Sequence, residues 1–311
     1  MPDKELKLKR AGMRNDRPVM LAIAGDSAAG KTTITDGIVN ALGAERVTAV
    51  CVDDYHRYDR TERKDKPFTP LHPDCNYMDI MAQHLQLLAT GQPILKPVYD
   101  HSSGELVRPE LIEPREFVII EGLLPLHSKL LRACFDVAVY LDPPEDVRIG
   151  WKMARDTSKR GYEEDAVMAE LERREPESEE HIRPQKAHAD IVVRFAPIEG
   201  RDDPENTPLS AELLLRPTIR HPDLSQILTD QRSRAMHVKM LRDNDGRPVD
   251  ALHVHGYVPR DDLAPLEQAI WEEFDLGMPL PEDLGDAGDG MRSEPLAITQ
   301  LLLLRHMLMA V

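Results

Sequence analysis

Residues 25–32 read Gly-Asp-Ser-Ala-Ala-Gly-Lys-Thr, which satisfies the phosphate-loop pattern of Gly, four residues, then Gly-Lys-Thr. No other stretch constrains the fold as strongly, because this pattern works only between a buried strand and a helix. Glycines let the backbone curl so that its N–H groups point inward as a nest for anionic oxygens. The succeeding helix adds its positive dipole end. The sequence supplies that setting. Val19 to Ala24 is an apolar run too short for a helix, and reads as a buried parallel strand. A helix is expected from Lys31 to Leu42. Lys31 would reach the outer phosphates as a point charge, and Thr32 would offer its hydroxyl to Mg²⁺. Gly25, Asp26, Ser27, Ala28, Ala29, Gly30, Lys31, Thr32 and Thr33 are therefore the candidate nucleotide site.

Further buried strands are expected at Val47–Val52, Phe117–Ile120, Asp136–Leu141 and Ile191–Phe195, with a hairpin over Lys96–Val107. Helices are expected at Asp79–Ala89, from Glu145 to about Lys159, and over 163–180. Strands alternating with helices imply an α/β fold, a parallel sheet wrapped on both faces. The character changes at the linker-like Gly200–Pro208. Beyond it come Leu209–Leu215, a hairpin over His237–Val258 turning at Asn244-Asp245-Gly246, and helices at about 262–274 and 295–309. The 311 residues thus divide into a solvated arm (1–17), a core (18–207) and a C-terminal antiparallel α+β extension (208–311). The Leu-rich final helix reads as a core element before it reads as a partner surface.

Asp plus Glu outnumber Lys plus Arg by 55 to 39, a net charge of −16. Such a chain is repelled by nucleic acid and anionic membranes unless its cations cluster, so neither partner is expected. The longest apolar run, Leu296–Val311, is interrupted by Arg305 and His306 and falls short of a bilayer span. Three widely spaced cysteines, Cys51, Cys75 and Cys134, suit a reducing compartment, and the N-terminus has no apolar signal segment. A cytoplasmic location is expected.

In a parallel sheet ligands bind at the carboxyl ends of the strands. Glu121 stands at one such end, where it can be an ordinary strand-terminating acid or the acid that holds a metal. Beside a phosphate loop the second role is expected. Asp53 and Asp54 end another strand. A hydroxyl is a poor nucleophile until its proton has an acceptor, and an Asp in reach supplies one. A lone Asp here would as readily cap a turn. The residues after it tip the balance: His56–Lys66 holds Arg57, Arg60, Arg63, Lys64 and Lys66 among three acids. Charge runs usually just solvate a surface. At this strand end, in so acidic a chain, a cationic loop suits an acceptor that is itself a phosphate ester. Lys152, Arg155, Asp156 and Lys159 share a helix face, with Arg160 adjacent.

Six blocks between residues 19 and about 196 carry a family resemblance: GDSAAGKTT, VCVDDYHRYDRTERKDK, KPVYDHSSGELVRPELI, VIIEGLLPLH, YLDPPEDVRIGWKMARDTSKRG and IRPQKAHADIVV. Together they resemble the phosphoribulokinase and uridine kinase family of P-loop small-molecule kinases. The Asp-Asp-Tyr-His run and the Arg-Asp-x₃-Arg-Gly pattern point to its phosphoribulokinase branch, plant and cyanobacterial in layout. That resemblance implies a P-loop kinase transferring phosphoryl from ATP, with Mg²⁺, to ribulose 5-phosphate, the Calvin-cycle reaction, in a homodimer. Asp53 matches the catalytic base, Asp156 a second catalytic acid and Lys152 a catalytic lysine. His56, Arg60, Arg155 and Arg160 match residues that hold the sugar phosphate. Lys31, Thr32 and Glu121 match the nucleotide and metal set.

One departure stands out. That branch can carry a cysteine just before the Gly-Lys of the loop, able to pair with the one two residues before the base. Here Ala29 stands at the first position and Cys51 at the second, so that dithiol switch cannot form. Two other functions compete with the one above. A kinase for uridine or another pentose phosphate is one; nucleoside recognition would want an aromatic pocket, and the cationic loop favours a phosphorylated acceptor. A nucleotide-responsive regulatory protein would not need Asp53, Glu121 and Asp156.

Overall fold

A computed structural model describes residues 17–158, 161–202, 204, 207–224, 228, 235–243, 245–273, 279–288 and 290–310. Most of the expected arm, Lys159, Arg160 and Asn244 lie outside the described residues.

The core strands are β1 (Val19–Gly25), β2 (Val47–Cys51), β5 (Phe117–Gly122), β6 (Val137–Leu141) and β7 (Ile191–Ala196), which pair in parallel in the order β2-β5-β1-β6-β7. Every residue of β1 and of β6 is buried, as strands covered on both faces must be. Their alternation splits the core in two. Val19, Leu21 and Ile23 face one cluster with α1 (Lys31–Leu42), and Met20 faces another with α2 (Met78–Ala89). The expected α1 matches residue for residue. A Gly at 30, with φ +92°, turns the chain out of the loop and into the helix.

Between β2 and α2 the chain makes short 3₁₀ turns at Val52–Tyr55, Glu62–Asp65 and Pro73–Cys75. After α2, β3 (Ile94–Asp100) and β4 (Glu105–Ile112) form a separate two-stranded hairpin. A short α3 (Lys129–Arg132) precedes β6. Helix α4 (Glu145–Ser158) follows β6, and α5 (Glu164–Glu177) continues into a π-helical turn at Ser178–Ile182.

The first three C-terminal strands do not form a sheet of their own. β8 (Ser210–Leu215) pairs antiparallel with β7, and β10 (Pro248–Val254) and β9 (Met236–Arg242) extend the same sheet to eight strands. The physical reason is the open edge of β7, whose backbone groups need partners. Helix α6 (Arg260–Glu272), a two-strand ribbon of β11 (Asp286–Gly288) and β12 (Met291–Arg292), and α7 (Glu294–Met309) complete the described chain. α7 is buried almost all round and packs on α1, the core reading of that helix. Its buried Gln300 donates to the Thr33 carbonyl at 3.0 Å and accepts from the Gly285 N–H at 2.7 Å. A Cβ at Gly37 would stand 2.0 Å from the Gln300 amide, so this contact requires glycine. No helix among the described residues is long and apolar enough to cross a membrane.

Candidate active site

The phosphate loop crosses from β1 to α1 at the carboxyl end of the sheet. Its curl uses Gly25, where a Cβ would stand 2.8 Å from the Leu141 carbonyl, and a left-handed Ala28 at φ +63°. Lys31 Nζ donates to the carbonyl oxygens of Gly25 and Asp26 at 3.0 and 2.8 Å. Thr32 Oγ1 donates to the Glu121 carboxylate at 3.2 and 3.3 Å. Burial pushes the Glu121 pKa up and Lys31 offsets part of that rise. Asp26 is buried; its carboxylate accepts from the Ser27 N–H at 2.7 Å and from the Ser178 hydroxyl. Ala29 is fully packed and Thr33 is held through its carbonyl.

Across from the loop, the 3₁₀ turn after β2 sends the two adjacent acids to different places. Asp54 pairs with buried Lys96 and accepts from the Tyr99 N–H at 3.0 Å, which docks the β3-β4 hairpin. Asp53 instead lines an open cleft of about 550 Å³. The same cleft is lined by Ser27 of the phosphate loop and by His56, Arg60, Lys152, Arg155 and Asp156. The residues expected on the acceptor side thus share one cleft, while Lys31, Thr32 and Glu121 stand beside it without lining it, and Arg160 is not among the residues described.

His56 is buried, bonded through Nδ1 to Asn76 Oδ1 at 2.8 Å and set edge-on to Tyr99. Burial lowers its pKa to about 4 against the pull of Asp53, so it is neutral at pH 7. Arg60 braces the hairpin, its guanidinium donating to the His101 carbonyl at 2.6 Å. On α4, Lys152 and Asp156 form a buried pair at 2.9 Å, and Arg155 Nε donates to Asp156 at 2.8 Å. Burial would raise the Asp156 pKa, but these two cations outweigh it and hold the carboxyl below its ordinary range. Burial lowers Lys152. Cys51 is pushed well up by burial and by the nearby Asp53 and Glu121, which keeps its thiol protonated.

Sequence reasoning missed part of the cleft. Arg63 stood in the cationic run without being singled out. It lies over the Tyr99 ring at 4.9 Å and donates to the Tyr99 hydroxyl, while its buried Nη1 has no hydrogen-bond partner among the described residues. Arg173 and Arg174 of α5 also line the cleft and pair with Glu170. Seven Lys and Arg side chains line it against three carboxylates, Asp53, Asp156 and Glu170. In a chain of net charge −16, that local excess suits a ligand of high negative charge.

The fold and the loop together define a P-loop protein of the kinase-like class. A family model described as phosphoribulokinase / uridine kinase matches residues 20–200, and the chain belongs to that family. It is 38% identical over 205 residues to a phosphoribulokinase of Synechocystis sp., a match covering 66% of this chain and 62% of that protein. It is 32% identical to a uridine kinase of Latilactobacillus sakei over 182 residues, 57% of this chain and 85% of that one. In fold it is similar to the solved phosphoribulokinase of Rhodobacter spheroides, with a TM-score of 0.59 at 18% identity, over 84% of this chain and 96% of that chain. The match to the cyanobacterial relative spans less than two thirds of that protein's length.

Proposed function

We propose that the protein transfers the γ-phosphoryl group of ATP to the primary hydroxyl of ribulose 5-phosphate, giving ribulose 1,5-bisphosphate. The observation that carries this reading is the shared cleft: Asp53 and Ser27 of the phosphate loop line the same space, within a wall of Arg and Lys. Asp53 takes the proton of the attacking hydroxyl. Lys31 leaves the loop carbonyls for the outer phosphates, and the loop amides neutralise charge as the phosphoryl group moves. Arg60, Arg155 and His56, with Arg63, hold the sugar phosphate so that the hydroxyl lies in line. Lys152 and Asp156 hold each other and Arg155 in place from α4. Arg160 belongs to the same set in this reading.

Thr32 and Glu121 fit Mg²⁺. Their oxygens, hard ligands for such an ion, stand 3.2 Å apart, and a half-buried carboxylate with a raised pKa gains from a cation. Bound there, Mg²⁺ would neutralise the outer phosphates. The reading includes a homodimer, as the plant and cyanobacterial layout implies, and a cytoplasmic location.

ADP release with ribulose 5-phosphate, set against uridine and ribose 5-phosphate, tests it. Ribulose 5-phosphate is expected to give the highest kcat/KM. Preference for uridine would overturn the acceptor assignment.

A further inference from the structure

Glu177 and Ser178 are neighbours in the chain, yet their side chains bond to opposite sides of the cleft. Glu177 accepts from the Thr69 N–H at 2.9 and 3.0 Å and from the Thr69 hydroxyl. Thr69 is buried and sits between Phe68 and Pro70, both of which line the cleft on its acceptor side. The Ser178 hydroxyl donates to Asp26. The other oxygen of Asp26 accepts from the N–H of Ser27, which lines the cleft on its nucleotide side, and has Arg148 Nη1 at 3.9 Å. Two consecutive residues therefore clamp the phosphate loop and the acceptor wall to the end of one helix.

Local chemistry accounts for the turn that lets them do so. Pro176 lies inside α5, brings no N–H to the helix ladder and crowds the preceding turn. The chain answers with a π-helical turn at Ser178–Ile182, the wider spacing that is common where helices serve a site. Upstream, the same helix carries Glu170, Arg173 and Arg174 into the cleft. Ser178 is buried, as are Thr69 and Asp26, so water does not compete for these bonds and a lost partner leaves a polar group unsatisfied.

We propose that the Glu177–Ser178 turn is a positioning joint, which holds the nucleotide loop and the acceptor wall at the separation that phosphoryl transfer requires. This deepens the kinase reading of the cleft and rests on it for the acceptor arm alone. Neither residue touches the reacting atoms; each acts through another, Ser178 through Asp26 and Glu177 through Thr69.

The test uses the full chain and two readouts. Calorimetry with Mg·ADP needs no acceptor, and Ser178→Ala is expected to weaken that affinity about tenfold. Steady-state kinetics with ribulose 5-phosphate should show Glu177→Gln raising the acceptor KM about tenfold while KM for ATP moves less than about twofold. Thr69→Val removes the hydroxyl bond to Glu177 and keeps the N–H bonds, so it should shift the acceptor KM in the same direction as Glu177→Gln by a smaller factor, which keeps the test open if the charge change disturbs folding. In the double variant Glu177→Gln/Ser178→Ala, losses in kcat should be smaller than the product of the single losses, because either break frees the joint. Variants that melt at lower temperature yet keep Mg·ADP affinity and acceptor KM at wild-type values would overturn the proposal. A wild-type protein inert toward ribulose 5-phosphate would remove the substrate assignment instead, and the Mg·ADP arm would still decide the joint.

Discussion

The two ends of the eight-stranded sheet differ in how their charge is balanced. At the end built from the antiparallel strands, the most deeply buried ion pair closes within the chain. Arg216 meets Asp243 at 3.1 Å, both nearly buried, and donates to the Lys186 and Ala189 carbonyls. Away from the sheet, Arg292 of the β11-β12 ribbon reaches both Glu267 and Glu294. At the end built from β2, β5 and β1, Arg and Lys gather around one cleft, and a buried guanidinium nitrogen of Arg63 is left without a partner among the described residues. Desolvated charge has to be compensated. A balanced pair braces an architecture, whereas a local excess of cations over carboxylates suits an anion from outside. On that criterion the cleft is the functional end and the C-terminal strands are the brace.

The largest expected effect lies at the functional end. Asp53→Asn keeps shape and removes the proton acceptor, so kcat should fall by about 10²- to 10⁴-fold. ADP affinity, read by calorimetry, should stay close to wild type. Turnover near the wild-type value would take the base role from Asp53 and blur the contrast between the two ends.

The mirror experiment is at the brace. Arg216→Met should strand the Asp243 carboxylate and lower stability by about 3–5 kcal/mol, measured by urea unfolding. The folded variant should keep kcat and both KM values. A loss of kcat without a loss of stability would show that the C-terminal strands do more than support.

How much of this contrast could be read from sequence depends on range. The phosphate loop and α1 were legible to the residue and β1 to within one, because the loop, the Gly30 turn and the apolar spacing are all local. Asp53 and Asp54 were not separable by position alone. Which one faces the cleft is set by Lys96, some forty residues on, and by the docking of the hairpin. Arg63 was visible only as one member of a run, since its role depends on Tyr99. Arg173, Arg174 and the Glu177–Ser178 turn lay in what reads simply as a charged helix. The C-terminal hairpin was legible, but its joining the core sheet was not, because β7 and β8 pair across a polar linker.

A third effect, smaller than these, sharpens the cleft. Arg63→Ala should raise the acceptor KM about tenfold or more through loss of charge-assisted bonds, with kcat much less changed. Arg60→Ala should do the same and also loosen the hairpin, since Arg60 holds the His101 carbonyl. An acceptor KM unchanged in Arg63→Ala would mean that its partnerless nitrogen faces no ligand.

The smallest effect sets histidines of the two ends against each other. His253 and His255 sit beside His237 on the C-terminal strands, with Glu212, Lys239 and Arg201 nearby. Burial and the neighbouring cations and imidazoles lower both from 6.5 to about 4. The native state therefore binds fewer protons than the unfolded chain between those values. Stability is intact above pH 6.5, declines as pH falls, and has lost this contribution below about pH 4. Discounted for partial exposure, the loss is about 1 kcal/mol per ring. Unfolding midpoints measured across this range should be flatter in His253→Asn/His255→Asn than in wild type. His56 starts from the same lowered value of about 4, but a phosphate dianion bound beside it favours its imidazolium. Acceptor binding near pH 5.5 should then take up more protons, or release fewer, in wild type than in His56→Asn, where only the acceptor's own phosphate (second pKa about 6) titrates; the difference is seen in the dependence of the binding enthalpy on buffer ionisation heat. Equal proton uptake in wild type and His56→Asn would leave His56 on the same footing as the C-terminal rings, a neutral packing residue with no ligand to meet.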